Sequence, residues 1–116
     1  MNRLTNIFKV LSDETRLRIL VLLYQEELCV CQLSGILDVP QPRISQNLAK
    51  FRDMDLVVDE RNEKYMIYSL RKENGTLMKI LRDIIGDMEA FPVLMEDREG
   101  LAEKEKYLTQ CGVLKK

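Results

Sequence analysis

The sequence predicts a mainly α fold carrying one β-hairpin, and three stretches predict it. Residues 27–51 read as two short helices around a tight turn. Val30, Leu33 and Leu37 recur at i, i+3 and i+7 in the first, and Ile44, Leu48 and Phe51 at i, i+4 and i+7 in the second. Asp38-Val39-Pro40-Gln41 is too short and too Pro-punctuated to be more than the turn between them. Residues 56–60 and 64–70 are rich in β-branched and aromatic side chains and flank the polar Arg61-Asn62-Glu63, which is the pattern of a hairpin. Leu77, Ile80, Leu81, Ile84, Met88 and Phe91 then hold helical spacing, with more apolar surface than one small domain covers from inside. Together these predict a dimeric winged helix-turn-helix.

Each element has its own signal. Leu4, Ile7, Phe8 and Leu11 make the first helix amphipathic. Ser12-Asp13 is a good N-cap for the second, with Glu14 near its positive end and Leu17, Leu20, Val21 and Tyr24 as its buried side. Pro42 suits a first helical position. That helix stops over residues 53–56, where Asp55 takes the left-handed position that glycine would fill more easily. Asn74-Gly75-Thr76 breaks the chain before the long helix, and Pro92 ends or bends it. The dimer seam is expected from Leu4, Ile7 and Phe8 with Leu77, Ile80, Leu81, Ile84 and Met88. Residues 1–93 thus form the winged helix-turn-helix domain with its dimerisation helices, and 94–116 a charged tail, helical in part.

Composition bounds the function. A chain of 116 residues, 46% hydrophobic and 32% charged, fits one soluble globular domain. The longest apolar run, residues 19–24, is far short of the roughly 20 residues a membrane span needs. Residues 1–9 hold no apolar signal core, so a cytoplasmic protein without a membrane partner is expected. The net charge of -1 argues against a nucleic-acid binder, but its distribution does not. From Pro42 to Arg52 there are three bases and no acid, whereas residues 87–105 carry seven acids against two bases. There is no histidine, no Gly-rich phosphate loop and no nucleophile with an evident partner, so neither an enzyme nor an organic cofactor is expected.

Two chemistries remain. In the second helix of the pair, Gln41, Pro42, Arg43, Ser45 and Gln46 cluster at the end that normally enters a major groove, with Asn47 and Lys50 following. Arginine suits guanine, glutamine and asparagine suit adenine, and serine serves a base or a phosphate, so the expected partner is double-stranded DNA. Arg61 and Lys64 at the hairpin tip reach for phosphates. Cys29 and Cys31 offer two soft donors, and with no histidine present they favour a thiophilic ion over zinc. All three cysteines are expected as reduced thiols. On an intact helix, positions 29 and 31 point about 200° apart, so sharing one ion would unwind that turn.

Leu11-Ser12-Asp13-Glu14-Thr15-Arg16-Leu17-Arg18-Ile19-Leu20, Glu27-Leu28-Cys29-Val30-Cys31 and Gln41-Pro42-Arg43-Ile44-Ser45-Gln46-Asn47-Leu48 resemble, in order and spacing, the ArsR/SmtB family of metal-responsive repressors. More narrowly, they resemble its arsenite- and antimonite-sensing branch. The resemblance implies a homodimeric repressor that leaves its operator when arsenite or antimonite binds Cys29 and Cys31. Ser34 stands where that branch often has a third cysteine, and Asn47 where the family usually has histidine. Arsenite chemistry in the family favours three sulfurs, which makes Cys111 the candidate third ligand. The alternative is a repressor of the same fold that senses redox or sulfur species through its thiols.

Overall fold

The structure, a computed structural model, describes residues 2–110. Its elements run α1 (Asn2–Leu11), α2 (Glu14–Gln25), α3 (Val30–Leu37), α4 (Gln41–Asp53), β1 (Val57–Asn62), β2 (Tyr65–Leu70), α5 (Gly75–Gly86), a 3-10 turn (Met88–Ala90), α6 (Pro92–Gly100) and a 3-10 segment (Leu101–Gln110). This is a winged helix-turn-helix: α3 and α4 form the helix pair, and β1 and β2 the wing.

Local chemistry sets the boundaries. Asp13 caps α2, its carboxylate accepting from the Arg16 amide at 3.0 Å, and Asn74 caps α5 in the same way through the Leu77 amide at 3.2 Å. Asp38 closes α3 at φ 58°, and Asp55 follows α4 at φ 60°, the left-handed conformation expected there. The wing is longer than its composition suggests. Arg61 and Asn62 pair with Met66 and Tyr65, so the turn shrinks to Glu63 and Lys64, with Glu63 at φ 57°. Backbone pairing recruits polar residues into an exposed ladder whatever their own preference.

Packing changes three expectations. Ile19 to Leu23 are all buried, at 0–4% exposure, because α2 is packed by α1, α3, α5, α6 and β2; a helix enclosed on every side has no single apolar stripe. The expected long helix ends at Gly86, before Pro92 can act on it. Pro92 instead opens α6 at its first turn, where its missing N–H costs nothing. Finally, Leu77, Leu81, Ile7 and Met88, expected at a dimer seam, turn into their own core at 0–6% exposure. Leu4 (37%) and Phe8 (54%) remain exposed, and Ile80 and Ile84 partly so.

The compositional boundary at 93/94 does not interrupt the packing. Leu94 and Leu101 belong to the main core. Asp97, only 3% exposed, accepts both Arg18 Nε at 2.9 Å and Nη2 at 2.8 Å. Such a bidentate pair locks α6 to α2. The segment after it lies over the end of α2 and on α3: the Lys104 ammonium pairs with Glu26 at the α2 C-cap, and the Tyr107 ring sits where a Cβ on Gly35 of α3 would stand.

Candidate functional site

Cys29 is not in α3. It is the N-cap, extended at φ -98°, ψ 173°, and helical geometry begins at Val30. This corrects the expected opposition of the two thiols, since a residue outside the helix does not follow its 100° rotation. Cys29 and Cys31, 3% and 4% exposed, form a small buried cluster of their own, walled by Tyr65 and Ile67 of β2 and by Leu108 of the C-terminal segment. No turn has to unwind to bring both side chains to one place. Gln32, itself 5% exposed, accepts the Cys29 amide through Oε1 at 3.1 Å and holds the cap in position. That role was visible in the spacing, because an N3 glutamine three residues after a cap is half of a capping box. A cavity of about 330 Å³ beside the cluster shares Tyr65, Ile67 and Leu108 with it and is otherwise lined by polar groups such as Gln32 and Lys104.

The cysteines differ in state. Cys29 is a free thiol, whereas Cys31 is disulfide-bonded, against the expectation of three reduced thiols. Only a reduced sulfur is a ligand, so ion binding at Cys31 requires its disulfide to be reduced first. Cys111 lies outside the described residues. Among the described residues no group of three or more His, Cys, Asp or Glu side chains converges on one point. The pair Cys29 and Cys31 fits two positions of a thiophilic ion by its donor chemistry and its seclusion from water.

The second site is the outer face of α4. Ile44, Leu48 and Phe51 are fully buried and fix the helix by one side. That leaves Pro42, Arg43, Ser45, Gln46 and Lys50 exposed, with Gln41 half-buried. Asn47 does not join them freely. It lies at the flank of the buried face, where its Oδ1 accepts Arg16 Nε at 3.0 Å. Sequence reasoning missed Arg16, which sits on α2 and meets α4 only in the fold. Arg61 and Lys64 are exposed on the wing, Arg61 within β1 and Lys64 in its turn. Arg52, in the last turn of α4, donates from Nη1 to Asp59 Oδ2 of β1 at 3.0 Å and so ties α4 to the wing. This pairing raises the guanidinium pKa above its already high ordinary value.

Comparison with known proteins places this geometry. Residues 13–58 match the profile of the bacterial regulatory proteins of the arsR family. The arsenical resistance operon repressor of Staphylococcus xylosus is 40% identical over 70 residues, 60% of this chain and 67% of that protein. The chain belongs to the arsR family. The arsenical resistance operon repressor of Escherichia coli K12 is 48% identical over 65 residues of this ArsR-family chain, covering 55% of it and 56% of the relative. The chain spans 53–60% of the length of three curated arsenic-resistance relatives. Among solved structures, HlyU from Vibrio cholerae superposes with a TM-score of 0.66 at 28% identity, over 72% of this chain and 88% of that one. It shares the fold. The family match ends at residue 58, so the C-terminal segment that walls the thiols lies beyond it.

Proposed function

We propose that this ArsR-family chain is a transcriptional repressor, not an enzyme, that binds operator DNA as a homodimer in the cytoplasm and releases it when arsenite or antimonite occupies Cys29 and Cys31. The observation that carries the reading is the buried cysteine cluster at the first turn of the helix-turn-helix, one wall of which is the wing. Reduced Cys29 and Cys31 would hold the ion as thiolates, and the ion would supply a link between two side chains that share one buried cluster. Gln32 keeps the Cys29 backbone in place, and Tyr65, Ile67 and Leu108 exclude water from the sulfurs. Cys111 is proposed as the third sulfur. On the DNA side, Gln41, Pro42, Arg43, Ser45 and Gln46 face base edges, and Lys50, Arg61 and Lys64 face phosphates. Asn47 contributes through the face it shares with Arg16.

The test is a gel-shift titration of the phosphine-reduced protein on the DNA upstream of its own coding region. Arsenite or antimonite should release the wild type at lower concentration than zinc or cadmium does. Cys29→Ser and Cys31→Ser should keep operator affinity and lose that release, since serine preserves shape but supplies no soft donor. Release by peroxide but not by arsenite would sink the reading in favour of a redox sensor.

A further inference from the structure

Tyr68 stands at a junction between the two sites. On one edge its backbone pairs with Leu28, the residue before Cys29: the Leu28 amide donates to the Tyr68 carbonyl at 3.1 Å, and the Tyr68 amide to the Leu28 carbonyl at 2.9 Å. On its other edge the ladder partner of Tyr68 is Asp59. Asp59 accepts from Arg52 on the last turn of α4 at 3.0 Å. A single rung across the wing therefore runs from the backbone of Leu28, next to Cys29, to the recognition helix. The same strand walls the sulfurs with Tyr65 and Ile67. Leu28, with no exposed surface, leaves that segment no slack of its own.

The competing route is the direct packing of α3 on α4. It suits a ligand that unwinds α3, but Cys29 already lies outside the helix. A shift of Cys29 is therefore shared between α3, through Gln32 and the Leu33 amide, and the strand-like segment at Leu28, whose hydrogen bonds go to β2. We propose that Tyr68 and Asp59 are positioning residues, carrying the occupancy of Cys29 across the wing to Arg52 and so setting wing and recognition helix together. The proposal rests on the function proposed above. Its size is bounded by its weakest link. Arg52 and Asp59 are 49% and 26% exposed, and a pair so open to water carries a factor of no more than about five.

The experiment uses the full, reduced chain and compares operator Kd with and without arsenite for the wild type and for Asp59→Asn, which removes the charge and keeps the shape. The quantity read is the ratio of the two Kd values, so any change in basal affinity cancels. That ratio should fall about three- to fivefold in Asp59→Asn, while arsenite affinity of the DNA-free protein, measured by calorimetry, stays put. Arg52→Gln should do the same, and the double variant no more than either single one. Amide hydrogen exchange without DNA gives a second readout. Arsenite should alter protection of the Tyr68 amide in both proteins, and of the Met54 amide in the wild type only. An unchanged ratio in Asp59→Asn overturns the proposal and returns the signal to α3–α4 packing. A wild type that keeps its operator in arsenite instead overturns the proposed function, and this rung with it.

Discussion

Arg43 and Asn47 lie one turn apart on α4 and point at different things. Arg43 is exposed and carries no ion pair among the described residues, whereas Asn47 is held by Arg16. Arg43→Ala should weaken operator binding by about 1–3 kcal/mol if the guanidinium forks onto a guanine. If it meets only a phosphate, affinity should fall alike on every sequence, with a shallower salt slope; filter binding on specific and scrambled duplexes separates the two. A different residue governs alkaline stability. Burial and the neighbouring Asp59 raise the Tyr68 phenol above its ordinary value of 10.0, with Arg52 opposing. The unfolded chain therefore loses this proton first. Tyr68 stabilises the fold fully below pH 10, and that contribution is lost as pH rises through the folded value. Denaturant midpoints should fall with pH from about 10 upward, and less steeply in Tyr68→Phe. At this scale the sequence was legible where chemistry is local. Asp13 as a cap and Asp55 in a left-handed turn need only their neighbours, while Arg16 reaches Asn47 across 31 positions that no spacing rule spans.

Elements were legible in kind and less so in extent. The α3 start slipped by one residue, from a cysteine read as helical to one that caps. The consequence was large, because the cap position decides whether two sulfurs oppose or converge. The end of α5 was missed for a related reason. Apolar spacing continues through Met88 and Phe91, but the chain turns at Gly86 so that Met88 enters the core and Phe91 stays out, at 2% and 41% exposure. Periodicity records which residues seek burial, not whether one straight helix delivers them. The C-terminal segment offers a test at this scale. Gly35→Ala should favour α3 itself by about 1 kcal/mol, yet the added Cβ would stand inside the Tyr107 ring and displace the segment. Cys29, buried beneath that roof, should then react markedly faster with a thiol reagent in timed labelling of the otherwise folded variant.

For the whole molecule, the winged fold followed from pattern alone, whereas the division between core and seam did not. Eight residues shared the seam's apolar spacing, and only packing shows that Ile7, Leu77, Leu81 and Met88 serve the protomer itself. In the proposed homodimer, the apolar face still open to a second copy holds Leu4 and Phe8 of α1, with Ile80 and Ile84 of α5 partly exposed. Phe8→Asp should therefore yield monomers in sedimentation and operator affinity well below that of the parent, since two half-sites about one helical turn apart need both copies. A stable Phe8→Asp dimer would exclude this face. One feature sets the tempo of the whole. Leu108 packs against the sulfurs, and Tyr107 lies in the groove that Gly35 leaves on α3, so under the proposed function this segment stands over Cys29 as an inducer arrives or leaves. In that reading, filling and emptying slow as this segment packs more tightly. A pulse of the proposed inducer too brief for that passage would go unregistered, and one that is captured would outlast its cause.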